Sequence, residues 1–201
     1  MINPDIPSIK NSLLKRLPKA DDNSLSLASD LEYTYLDPVK AEASAFVKYD
    51  IGLLVNYLEE CHNDYSGLMI PNILNSFSQL LKNAPECKLL QKMGPVLIYG
   101  FKKDALAHFE YEEWNLFPYA RALDKGEKFR AYSTEEFEKS HPRHVVDIDR
   151  LIKFFDLLGS ELESYMTYRI LMKRLRDLKL EFDVHGLIED RVLIPKLKGL
   201  E

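Results

Sequence analysis

The chain has 201 residues, with 27 Lys+Arg against 32 Asp+Glu and a formal charge of −5. At 46% hydrophobic and 29% charged residues it can bury the core of one ordinary domain, which excludes a disordered chain. The acidic balance and the lack of a dense Lys/Arg tract argue against a nucleic-acid surface, and no apolar run reaches the length of a membrane span. The first residues carry acid and proline where a secretory signal would have a basic start and an apolar stretch, so the expected location is the cytoplasm. Cys61 and Cys87 form no CxxC pair and imply neither a disulfide scaffold nor a zinc ribbon.

Eight glycines and long stretches rich in Leu, Lys and Glu favour helix over sheet. Residues 1–49 read as an N-terminal helical arm. Ser8 to Leu17 is a short amphipathic segment closed by Pro18, Lys19–Ser26 is polar, and Asp37-Pro38 has the form of a helix start. Residues 50–201 read as one domain of four longer helical segments. Segment A runs from about Asp50 to Asn83, with Leu54, Leu58, Cys61, Tyr65 and Leu68 at threes and fours and Pro71 as a kink. Segment B runs from about Pro95 to Phe117, and Pro118 disturbs its end. Segment C starts near Ser133, where Ser133 and Glu136 have capping-box spacing, and ends before Gly159-Ser160. Segment D runs from about Glu161 to Ile194 and stops at Pro195. Four such helices with short connections predict an all-α fold, an antiparallel four-helix bundle.

One internal repeat carries the functional argument. His108 to Pro118 and His185 to Pro195 both read H-x3-E-[ED]-x2-L-[FI]-P. Four residues are about one helical turn, so His108 and Glu112 share a face, as do His185 and Glu189. Ala105, Phe109 and Leu116 flank the first pair, and Phe182, Ile188, Val192 and Leu193 the second. On the border of an apolar stripe, ionised groups are costly unless paired or metal-bound. Two imidazoles and two carboxylates make half of a dinuclear metal site, with Glu112 and Glu189 placed to bridge. His62 of segment A and one of His141 and His144 of segment C would complete it. Four histidines and two glutamates without thiolate suit iron or manganese better than structural zinc, and leave positions open for an oxo or hydroxo bridge and a small diatomic ligand. Glu113 and Asp190 read as acids on a solvated face, Trp114 and Phe117 as core, and Cys61 as a buried inert thiol.

These residues resemble the hemerythrin-like di-iron proteins, specifically the regulator-of-iron-clusters group that repairs iron–sulfur centres. The resemblance covers about residues 50–198. It rests on His108–Pro118 (the family form is HxxxEExxLFP), on Thr167-Tyr168-Arg169 ahead of His185–Pro195, and on His62 followed by Pro71. It implies a hemerythrin-like bundle with two iron ions held by His62, His108, Glu112, His185, Glu189 and one segment C histidine. Ungapped spacing back from Arg169, and the apolar stripe of Phe137, Val145, Ile148 and Ile152, select His141, although Pro142 disfavours helix there. The implied functions are iron donation to damaged iron–sulfur proteins, nitric oxide binding or reduction, and a stress-response role. Residues 1–49 contain no cysteine, unlike the family's N-terminal domain.

Three other readings compete. An oxygen-binding or oxygen-sensing hemerythrin uses HxxxH on the third helix and HxxxxD on the fourth. His185 and Asp190 match the second spacing, whereas His141 and His144 do not match the first. A ferritin-like carboxylate site would use Glu59/His62 and Glu138/His141, leaving His108 and His185 without a role. A metal-free bundle is the fourth.

Overall fold

The structure is a computed structural model that describes residues 12–17, 21–38, 41–127, 132–140 and 148–201. Among these residues every regular element is helical, so the fold is all-α. In chain order the α-helices are α1 (Asp22–Leu36), α2 (Ile51–Asp64), α3 (Ile70–Asn83), α4 (Lys88–Tyr111) and α5 (Phe117–Asp124), followed by α6 (Thr134–Ser140), α7 (Ile148–Leu157), α8 (Gly159–Leu162), α9 (Met166–Ile188) and α10 (Ile194–Lys198). None is long and apolar enough to cross a membrane.

The arm differs from its sequence reading. Its main helix starts inside the polar stretch, because the Asp21 side chain accepts from the Ser24 amide at 2.8 Å and caps α1. Asp37 ends this helix instead of starting one: its amide donates to the Tyr33 carbonyl. Segment B begins at Lys88, seven residues before Pro95, and the helix runs through that proline. Segment C starts as expected, with the Ser133 hydroxyl accepting from the Glu136 amide at 3.1 Å. Segment D is divided, with α8 ending at Leu162 and α9 starting at Met166.

The prolines expected to end or kink helices do something more specific. Pro71, Pro118 and Pro195 each lie in the first turn of an α-helix, and each of those helices is entered from a five-residue π turn. The π turns are Tyr65–Met69, Glu112–Leu116 and Glu189–Leu193. Proline lacks an N–H and crowds the carbonyl four residues before it. Winding one residue more relieves that crowding, and the α-helix restarts where a missing N–H is harmless. Accordingly, the Ile70 amide donates to Tyr65 and the Ile194 amide to Glu189, five residues back. Aligned on these turns, the repeat has a third copy. Cys61-x3-Tyr65-x3-Met69-Ile70-Pro71 stands beside His108-x3-Glu112-x3-Leu116-Phe117-Pro118 and its segment D counterpart.

The chain divides into two compact units. The first comprises the described residues of Met1–His62, Glu112–Ser140 and Phe182–Glu201. Its core includes Leu27, Leu31, Phe46, Leu54, Leu58, Phe117 and Leu193, all fully buried. The 3₁₀ turn Ala43–Phe46 packs on both α1 and the π turn Glu189–Leu193, which ties the arm to segment D. Arg121 of α5 forks onto both carboxylate oxygens of Glu59 and reaches Asn56 on α2. Such planar pairing fixes one geometry.

The second unit comprises the described residues of Asn63–Tyr111 and His141–Glu181. Ile73, Phe77, Leu80, Leu90, Ile98, Phe155, Leu171 and Leu175 form its core. Phe77 meets Phe155 edge-on at 6.1 Å and covers Gly94, where a Cβ would come within 2.9 Å of the Phe77 ring.

Candidate metal centre

The first unit brings together four of the sequence-selected residues. His62 lies in the last turn of α2, Glu112 opens the second π turn, His185 lies in the last turn of α9 and Glu189 opens the third π turn. All four side chains are buried, at 1%, 0%, 5% and 3% exposure. The local cause is the repeat. An apolar pair and a proline follow each carboxylate, so the helix must take its extra residue at the point where the glutamate leaves it.

The donor atoms converge. Nε2 of His62 lies 3.2 Å from Oε2 of Glu112 and 3.4 Å from Nε2 of His185. Nε2 of His185 lies 3.7 Å from the same Glu112 oxygen and 3.3 Å from Oε2 of Glu189. His62, Glu112 and His185 form a group whose ligand atoms all lie within 4.8 Å of one another. Metal–ligand bonds of about 2.0–2.2 Å put neighbouring donors about 3–3.5 Å apart around one ion. Three of the four observed separations fall in that range, and the fourth, 3.7 Å, lies just beyond it.

The chemistry of the donor set also fits a cation. On its other side His62 presents Nδ1 to Oε1 of Glu113 at 3.1 Å. Each ring nitrogen of His62 thus faces a carboxylate oxygen, Nδ1 that of Glu113 and Nε2 that of Glu112. Nε2 also faces Nε2 of His185. Imidazole nitrogens and carboxylate oxygens brought together in a buried space call for a proton or a metal ion between them. His185 responds to the same field. Burial pushes its pKa down, but the Cys61 thiol and the Glu112 and Glu189 carboxylates outweigh burial and hold it well above the ordinary histidine value.

The walls are apolar and aromatic. The His62 and His185 rings stack at 4.9 Å with 24° between planes, and Phe117 lies 5.3 Å from His62. Behind the site, the buried Arg16 guanidinium donates to Cys61 Sγ at 3.8 Å and to the Tyr35 hydroxyl at 3.5 Å.

The remaining selected residues are placed differently. His108, in the last turn of α4, belongs to the second unit, where it is half-buried with its ring 5.8 Å from that of Phe109. It is not a member of the converging group. His141 and His144 lie outside the described residues. Asp190 is exposed, as expected of an acid on a solvated face. Glu113 is exposed too, at 43%, and its carboxylate also reaches His62, which is 1% exposed. Trp114, read as core, is 76% exposed, whereas Phe117 is fully buried as read. Tyr65 occupies the carboxylate position of the third copy, and its hydroxyl donates to the Glu181 carbonyl at 3.2 Å. The signal for that copy was the shared apolar-apolar-proline ending, which the His-to-His comparison left one residue out of register. Comparison of the chain with known protein families, with curated proteins and with solved structures finds no match.

Proposed function

We propose that this chain is a non-haem di-iron protein built on a hemerythrin-like antiparallel four-helix bundle, acting in the cytoplasm in iron–sulfur cluster repair and the response to nitrosative and oxidative stress. The observation that carries the reading is the convergence of His62, Glu112 and His185, with Glu189 beside them, in a buried pocket of the first unit. Two histidines with carboxylates and no thiolate among the converging atoms favour iron over a structural zinc. These four residues would hold one ion. His108 and His141 are the further ligands that the family resemblance implies. Iron bound there supplies one-electron chemistry and open positions for nitric oxide or oxygen. The protein's own residues fix the donors on three helical segments, and Phe117 packs 5.3 Å from the His62 ring and shields it.

The fourth-helix carboxylate supports this reading over an oxygen-binding hemerythrin. That alternative needs Asp190, five residues after His185, as the ligand. Here Glu189 is the buried partner at 3.3 Å and Asp190 is exposed.

The test is metal analysis of protein prepared with iron available, followed by stopped-flow mixing of the ferrous protein with nitric oxide and, separately, oxygen. About two irons per chain, as in two-metal sites, and a nitrosyl species are expected, with iron passing to an apo iron–sulfur acceptor. A stable, reversible oxygen complex would move the assignment to an oxygen carrier. Protein without bound iron would end the metal reading.

A further inference from the structure

Residues 88–103 contain four lysines and no Asp or Glu, in a chain whose net charge is −5. They form most of α4. Leu90, Gly94, Ile98, Phe101 and Ala105 share one side of that helix, and all are buried. At about 100° per residue, Lys88, Leu89, Lys92, Val96, Tyr99 and Lys103 fall on the opposite side, within an arc of about 100°. All six are exposed, Leu89 at 51%, Val96 at 65% and Tyr99 at 56%. None of the four lysines makes an ion pair among the described residues. Lys88 and Lys92 stand one turn apart with like charge, an arrangement that weakens a helix unless an anion lies beside it.

We propose that this face of α4 docks on an anionic lipid surface, with the helix axis lying along the plane of the headgroups. Charge complementarity selects the surface: the lysines are spread along about 24 Å of helix, facing a layer of phosphates. Lysine stems lie along apolar surface while their ammonium groups reach to the phosphates. Leu89 and Val96 then enter between the headgroups, and Tyr99 sits where its ring is dry and its hydroxyl wet. Neither signal anchors a protein alone, and the two together add. None of these residues belongs to the converging group of the first unit. A second copy of the chain fits the face poorly. In a parallel pair Lys92 and Lys103 meet their own counterparts, and in an antiparallel pair centred between Val96 and Tyr99 they meet each other, so like charges oppose in both.

The test uses the full chain in four forms: wild type, Lys92→Gln/Lys103→Gln, Val96→Ser/Tyr99→Ser and Lys15→Gln/Lys125→Gln. The last removes the same charge from exposed positions of the first unit. Every substituted side chain is exposed, so the core keeps its packing. The probes are vesicles of phosphatidylcholine alone and vesicles of equal parts phosphatidylcholine and phosphatidylglycerol. Binding is read by co-sedimentation at low and at physiological salt, and light scattering gives the oligomeric state of each form.

The wild type should bind the vesicles that contain phosphatidylglycerol and not those of phosphatidylcholine alone, more weakly as salt rises. Lys92→Gln/Lys103→Gln should bind about 25-fold more weakly, at about fivefold for each lysine brought to an anionic surface. Val96→Ser/Tyr99→Ser should bind about tenfold more weakly through lost apolar insertion. Lys15→Gln/Lys125→Gln should match the wild type. The proposal is overturned if the wild type does not bind the anionic vesicles, or if the Lys15/Lys125 variant loses as much binding as the Lys92/Lys103 variant. Undiminished binding by Val96→Ser/Tyr99→Ser would also overturn it. A wild-type dimer that this last variant dissolves would give the face to a second copy of the chain instead.

Discussion

Replacing Glu112 by glutamine tests the centre most directly, because the amide keeps the shape of a side chain that has no exposed surface. Its Oε2 is the atom shared by both imidazoles, at 3.2 and 3.7 Å, so losing its charge weakens the donor set at its middle. Loss of an outer partner alone costs about 10–100-fold in metal affinity, so loss of an anionic ligand should cost at least about 100-fold. At a free metal concentration about 100 times the wild-type Kd, binding stabilises the folded wild type by about 2.7 kcal/mol. For a variant bound about 100-fold more weakly, the same concentration equals its Kd, and the gain falls to about 0.4 kcal/mol. In a chain of this size each kcal/mol moves Tm by about 2–4 °C. Metal should therefore raise the wild-type Tm by about 5–11 °C and that of Glu112→Gln by about 1–2 °C. The assay is calorimetry with and without Fe(II) under nitrogen, with iron content measured on the same samples. An equal metal-dependent shift in both proteins, with equal iron content, would refute the assignment of Glu112 as a ligand.

Two glycines of α4 should respond with opposite sign to the same change. Gly94→Ala gains about 1 kcal/mol of helix propensity but drives a Cβ within 2.9 Å of buried Phe77, an overpacking cost of about 1–3 kcal/mol, so urea denaturation should show no gain and a loss of up to about 2 kcal/mol. Gly100→Ala meets nothing within 4 Å and should stabilise by about 0.5–1 kcal/mol. Arg121→Lys gives up the two-pronged pairing with Glu59 and should cost about 0.5–1 kcal/mol, read by the same denaturation. Burial pushes the Glu201 carboxyl up, but hydrogen bonds from Tyr119 and Thr134 outweigh burial and hold its pKa below the ordinary 4.5. A lowered folded-state pKa contributes stability that is present above 4.5 and lost as pH falls through the lowered value, so Glu201→Gln should flatten that acid limb of the stability–pH curve.

Much of the site was legible because helical periodicity and ligand chemistry act over one turn. The His185/Glu189 pair and Glu112 were selected from spacing, and His62 as the histidine that segment A offers; the fold buries all four. What spacing concealed was the backbone's response to proline. Pro118 and Pro195 read as terminators, since proline in an α-helix removes a hydrogen bond. The π turn is the alternative, and nothing local distinguishes a stop from an extra residue. Glu113 lies in solvent as its position suggested, but its contact with His62 across the wider winding was not legible in the spacing. The arm was misread at Asp37-Pro38 because a cap residue followed by proline fits the end of a helix as well as its beginning.

The three π turns also bear on what a change of length would do to such a chain. Each winds one residue more than the same stretch of α-helix would. Removing Trp114, whose side chain lies almost wholly in solvent, would take away the extra residue and set Pro118 against the carbonyl four residues before it. It would also turn Glu112 and Glu113 relative to Phe117 by about 100°. A deletion that removes almost no buried surface of its own would therefore displace the pair of carboxylates around His62. The number of residues between His108 and Pro118 matters to the candidate centre as much as the side chains that line it.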